Sequence, residues 1–99
     1  MIRGTTPKLT LTVQNADFSN LKNLYITFQQ KDLVITKGKD DVDIDENVIT
    51  VPFTQEETLS FSKGVVDVQI RFTTDSDEAL ATTKTQFSVS DILRDGVIE

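Results

Sequence analysis

Apolar and polar residues alternate with a period of two along most of this chain, the pattern of antiparallel strands that bury one face and wet the other. The longest example runs from Gly64 to Ser90. Val66, Val68, Ile70 and Phe72 alternate there with Asp67, Gln69 and Arg71. Beyond a polar tip, Thr74 to Glu78, the residues Ala81, Thr83, Thr85, Phe87 and Val89 alternate with Thr82, Lys84, Gln86 and Ser88. A hairpin that keeps the large residues inward pairs Phe72 with Ala81, Ile70 with Thr83, Val68 with Thr85 and Val66 with Phe87. A slip of one residue would place Lys84 in the core. Two threonines oppose the central apolar residues, so the second arm needs cover, and Leu59, Phe61 and the C-terminal tail are the residues available for it.

Shorter strands precede this hairpin. Lys8 to Val13 alternates cleanly and predicts a first strand. The polar connection Asn15, Asp17, Ser19 and Asn20 is interrupted by Phe18, which is expected to plug one end of the core. Leu24, Ile26 and Phe28 form the inward face of a second strand, with Tyr25 and Thr27 pointing the other way. A tight turn at Gln30-Lys31-Asp32 then leads into Leu33-Val34-Ile35, with Phe28 opposite Ile35. Asp41 to Ile44 and Val48 to Phe53 flank a three-residue loop, Asp45-Glu46-Asn47, in which Asn47 suits the left-handed position. In that hairpin Ile44 faces Ile49 and Val42 faces Val51. Pro52 has no ladder donor, so this strand is expected to be an edge or to end there.

Thr54-Gln55-Glu56-Glu57 has the form of a capping box. It predicts a single helical turn from Gln55 to Phe61, with Leu59 reaching the core. About seven short strands, with turns roughly every eight to twelve residues, predict an all-β, immunoglobulin-like antiparallel β-sandwich. Residues 1–99 form one domain in this reading.

Composition narrows the chemistry. The 99 residues include no histidine and no cysteine, which removes disulfides, thiolate and imidazole metal ligands, and nucleophile–histidine pairs. The net charge of -6 and a pI near 4.5 argue against nucleic acid and anionic membrane as partners, since both need a concentrated basic face. The start of the chain has no apolar run behind Arg3, so no secretory signal is expected, and no stretch approaches the length of a membrane span. No enzyme activity and no cofactor are expected.

Several charged groups invite a chemical reading. Asp41, Asp43 and Asp45 have the spacing of the first ligands of a helix-loop-helix calcium site, but Glu46 stands where that loop needs glycine and Pro52 where it needs glutamate. On a strand the three carboxylates instead face solvent, where they deter edge pairing. Asp75, Asp77 and Glu78 read as a solvated hairpin tip. Neighbouring Glu56 and Glu57 do not face each other on a helical turn, so they make no acid–base pair. Lys84 and Arg71 are expected outward, cross-strand from Gln69 and Thr82. For interaction, the candidates are Tyr25, the only tyrosine, and the apolar tail residues Ile92, Leu93, Val97 and Ile98. The tail either folds back over the open end of the sandwich or docks on a neighbouring subunit by strand addition.

Three segments read together carry a resemblance: Met1-Ile2-Arg3-Gly4-Thr5-Thr6-Pro7, Val51-Pro52-Phe53-Thr54-Gln55-Glu56-Glu57-Thr58-Leu59, and Val68-Gln69-Ile70-Arg71 with Ile92-Leu93-Arg94-Asp95-Gly96-Val97-Ile98. The chain resembles, over nearly its whole length, a family of small proteins from phages and prophages of Gram-positive bacteria. The order of strands, helical turn and long hairpin is also similar to the immunoglobulin-like N-terminal domain of phage baseplate upper proteins. The resemblance implies a virion structural or accessory role in tail, baseplate or head, in the virion or the host cytoplasm. The expected partners are other phage structural proteins or a second copy of this chain. The alternative expectation is a host-surface module that binds carbohydrate or depends on calcium.

Overall fold

The computed structural model describes residues 1–13, 18, 21–82, 84–93 and 96–98. Eight strands form two antiparallel sheets. One sheet contains β1 (Lys8–Thr12), β5 (Val48–Pro52) and β4 (Asp43–Asp45), in that order. The other contains β3 (Leu33–Gly38), β2 (Leu21–Gln30) and β6 (Gly64–Thr74), with β7 (Ala79–Ala81) and β8 (Thr85–Val89) sharing the far side of β6. The chain crosses between sheets after β1, β3 and β5, the connectivity of an immunoglobulin-like sandwich. A helix, α1 (Gln55–Ser60), spans the last crossing.

The inward residues of β2 and β6 are fully or almost fully buried: Leu24, Ile26, Phe28, Val66, Val68 and Ile70 meet Ile49 and Val51 of the opposite sheet. At one end four phenylalanines close a ring of edge-to-face contacts. Phe28 lies 5.0 Å from Phe53 and 6.2 Å from Phe87, and Phe61 lies 6.4 Å from each of Phe53 and Phe87. Phe61 therefore supplies the cover that the second arm of the hairpin needs. At the other end Phe18 is buried edge-on against Phe72 at 5.2 Å, as its place in a polar connection predicts.

Registers follow the apolar pattern where that pattern is strong. Phe28 faces Ile35, Ile44 faces Ile49, Val68 faces Thr85 and Val66 faces Phe87. The long hairpin departs from it above Val68. Arg71 pairs with Ala81 and Phe72 with Leu80, not Phe72 with Ala81, so the second arm carries one extra residue between its two ladders. This is a β-bulge, and it splits the arm into β7 and β8. The Ile70 N–H donates to the Thr82 hydroxyl (3.1 Å), and the Thr82 N–H donates to the Ile70 carbonyl (2.9 Å). The expected Ile70–Thr83 pair lies outside the described residues, as does the polar connection around Phe18.

Other expectations are corrected. The loop after β4 has two residues, because Asp45 pairs with Val48, and Glu46 rather than Asn47 takes the left-handed conformation (φ 55°). Asn47 is used differently: its carbonyl and side-chain amide hold the Val13 N–H and carbonyl at 2.9 and 3.1 Å. Val42 does not pair with Val51; a 3-10 turn, Lys39–Asp41, delays the strand until Asp43. Pro52 ends β5, but β5 is the central strand of its sheet and not an edge. The capping box forms, with the Glu57 N–H donating to the Thr54 hydroxyl (3.2 Å) and the Thr54 N–H to the Glu57 carboxylate (2.9 Å). Helix α1 stops at Ser60, and Thr58 is its buried residue, while Leu59 is only half-buried.

Candidate functional site

The two groups of candidate residues, the tail and Tyr25, are built by different parts of the fold. The tail site begins with Arg3. Met1 to Arg3 run parallel to the end of β8, joined by Ser90 N–H to Met1 carbonyl (2.7 Å) and Arg3 N–H to Ser90 carbonyl (3.0 Å). The Arg3 guanidinium donates to the Phe61 carbonyl (2.6 Å) and the Leu59 carbonyl (2.9 Å), and pairs with Asp91 at 2.7 Å. The last turn of α1 has no basic residue of its own, so Arg3 supplies the cation that its carbonyl end favours. Arg3, followed by the Ile92 N–H that the same carboxylate accepts, holds Asp91 below the ordinary carboxylate range.

Beyond Asp91 the tail is held to its own subunit. Ile92 packs where Gly4 and Leu59 meet. Gly4 has φ +75°, and a β-carbon on it would lie 3.1 Å from the Ile92 side chain and 3.3 Å from that of Leu59. Farther on, the Gln55 side chain grips both backbone groups of Ile98, accepting its N–H at 2.8 Å and donating to its carbonyl at 3.0 Å. Gln30 grips Ser62 in the same way, at 2.8 and 2.7 Å, so side-chain amides twice replace a missing strand neighbour. The backbone anchors leave the apolar side chains outside. Leu93 is fully exposed, Ile98 is 69% exposed and Val97 41%, with Ile2 also open at 51%. Of the four tail candidates, only Ile92 is packed.

Tyr25 lies elsewhere. It sits on β2 with strands on both sides, so it makes no sheet-edge contact; its ring stands on the open face of the larger sheet, 51% exposed. Cross-strand from Tyr25 are Gly38 and Arg71, and Gly38 leaves room beside the ring. Tyr25, Asn23, Thr27, Thr36, Arg71 and Thr73 line a shallow groove of about 420 Å³ whose far wall is Ala79 and Leu80. Arg71 is seven positions along β6 from Gly64, which pairs with Val89 near the start of the tail. At about 3.3 Å per residue, Arg71 stands roughly 23 Å along the sheet from the strand end that leads into the tail. The fold does not bring the candidates into one site.

Three of the candidate carboxylates, Asp41, Asp77 and Glu57, have partners within the fold. The Asp41 carboxylate accepts the Gly38 N–H (2.9 Å) in the 3-10 turn and so leaves the row of Asp43 and Asp45, which stand exposed on β4. Asp77 pairs with Lys22 at 3.1 Å. Among the described residues no three acidic groups are placed to hold one metal ion. Glu57 meets Lys37 at 2.6 Å. Burial pushes the Glu57 carboxyl up, but the Lys37 ammonium and the Thr54 amide and hydroxyl outweigh it, leaving the group below its ordinary value. The bulge takes Thr82 away from Arg71, which faces Ala81 instead, while the Gln69 amide donates to the Thr82 carbonyl at 3.0 Å.

Two of these residues carried a signal in the sequence. Lys37 continues the Leu33–Ile35 alternation, so a cation stands at a core-facing position of β3; its ammonium reaches Glu57 and lies 5.4 Å from the Phe53 ring. Arg3 is the one cationic side chain in the opening segment, yet Leu59, Phe61 and Asp91, to which it bonds, lie 56 to 88 residues away and only the tertiary fold brings them together. No protein-family model, curated protein or solved structure compared with the chain matches it.

Proposed function

We propose that this chain acts by protein–protein contact, as a structural or accessory component of a phage particle. One observation carries the contact reading: Leu93, Val97 and Ile98 project outward from a tail whose backbone is anchored through Arg3–Asp91 and Gln55–Ile98. An unanchored apolar tail would lose freedom on binding; this one presents its side chains already positioned, which lowers that cost. Burying each of them in a partner is worth about 1.5–3 kcal/mol. The phage context comes from the family resemblance of the opening, central and closing segments. Mass spectrometry of particles purified from a lysogen that encodes the chain tests the reading: the chain is expected among the particle proteins, and its absence would count against it.

A second reading has one observation in its favour. The exposed Tyr25 ring borders a groove with hydroxyl and amide groups from Thr27, Thr36, Thr73 and Asn23, the kind of lining that suits a sugar. Titration with host cell-wall glycans separates the readings: saturable binding lost in Tyr25→Ala supports the carbohydrate module. The calcium half of that alternative has no ligand set among the described residues.

A further inference from the structure

The four open sides of the two sheets are not equally protected. β4 is three residues long and carries Asp43 and Asp45. β3 bears Lys37 on its core-facing side, directed to Glu57. The β7–β8 side is interrupted by the bulge, carries the exposed Lys84, and is covered at its end by Met1 to Arg3. Short strands, charges, inward-facing cations, bulges and added backbone are the devices by which sheets resist pairing with another chain. Among the described residues β1 has none of them from Leu9 to Thr12; its only charge is Lys8 at the start.

The backbone of β1 is specific about what it offers. The bonds from Phe53 N–H to the Pro7 carbonyl (3.1 Å) and from Val13 N–H to the Asn47 carbonyl (2.9 Å) continue the β1–β5 register. In an antiparallel ladder alternate residues turn their polar groups toward the neighbour, so Leu9 and Leu11 bond to β5 while Lys8, Thr10 and Thr12 point theirs away. No hydrogen bond among the described residues uses those outward N–H and carbonyl groups. Leu9 and Leu11, on the core side, are only half-buried, so β1 lies at the margin of the core.

We propose that β1 is a self-association edge, at which two copies of this chain pair antiparallel about a two-fold axis centred on Thr10. This register sets Thr10 against Thr10, Lys8 against Thr12 and Leu9 against Leu11. It satisfies the outward N–H and carbonyl of Lys8, Thr10 and Thr12 in both copies; a shift by two residues in either direction leaves part of them unpaired. It places no like charges opposite each other, whereas β4 paired with itself would oppose Asp43 and Asp45. The two three-stranded sheets become one continuous six-stranded sheet. A single strand pair buries less than the roughly 1,000 Å² of a stable interface, so the dimer is a weak one that forms at high local concentration, such as within an assembly. Each copy carries a net charge of -6, so added salt strengthens the association by screening that repulsion.

Sedimentation equilibrium of the full chain up to roughly 1 mM, the range of weak complexes, provides the test. The wild type is expected to dimerise with concentration, and more so in high salt. Thr10→Pro is expected to stay monomeric with a near wild-type melting temperature, because the N–H it removes has no partner within the subunit. Thr10→Lys, which opposes two cations at the axis, carries the same expectation without altering the backbone. A wild type that is monomeric throughout overturns the proposal, and so does a wild-type dimer that survives Thr10→Lys. Neither result bears on the exposed tail, which lies on other residues.

Discussion

Lys37 and Glu57 meet at 2.6 Å across the sandwich, joining a core-facing position of β3 to the capping box of α1. The lysine ammonium lies over the Phe53 ring, and the carboxylate that receives it also accepts the Thr54 N–H. Glu57 is therefore more acidic folded than unfolded, and its contribution to stability is present above its unfolded value near 4.5 and lost as the pH falls through the lower folded one. Lys37→Met keeps the packing and removes the charge. It is expected to cost about 0.5–1 kcal/mol at neutral pH and little in acid, for a pair still in touch with solvent. Urea denaturation of both proteins across that pH range checks the difference.

The bulge in the long hairpin predicts the behaviour of Thr82. Its hydroxyl is the acceptor of the Ile70 N–H. Thr82→Val, close in shape, should destabilise by about 1–2 kcal/mol, whereas Thr82→Ser should be near neutral. Thermal unfolding compares the two.

Gly4 holds a left-handed backbone against Ile92 and Leu59. Gly4→Ala adds backbone strain to a close contact and should cost about 1–3 kcal/mol. Because the collision is with the tail, amide exchange at Ile92 should rise more than exchange in β2 or β6.

Arg3 joins the opening segment, the end of α1 and the start of the tail through one guanidinium, on a side chain that is 14% exposed. Charged hydrogen bonds of this kind contribute about 1.5–3 kcal/mol, so Arg3→Met should lower stability by at least that amount. Asp91→Asn, which leaves the bonds to Leu59 and Phe61, should cost less. Chemical denaturation orders the two variants.

What could be read from the sequence follows the strength of the alternation. Val66 opposite Phe87, Phe28 opposite Ile35 and Ile44 opposite Ile49 are legible because a slip would expose large apolar groups. Ala81, Thr82 and Thr83 impose no such penalty, so the bulge beside them left no trace in the pattern. Glu46 takes the left-handed position because Asn47 is engaged with Val13, a tertiary demand that overrides the turn preference. The tail was legible as apolar and suspect. Its anchoring was not, since the Gln55 clamp and the Arg3 pair depend on residues brought from 43 and 88 positions away.

The claim that the anchored tail is a contact surface in a phage particle is tested most directly by measuring the chain's abundance in purified particles for two alleles. One is wild type; the other carries Leu93→Ser, Val97→Ser and Ile98→Ser, which change exposed side chains and should leave folding intact. The wild-type chain is expected as a particle component, and the substituted chain, equally stable in the lysate, is expected to be depleted from particles at least tenfold, about 1.4 kcal/mol of binding. Equal incorporation of the two, or absence of both, would contradict the claim.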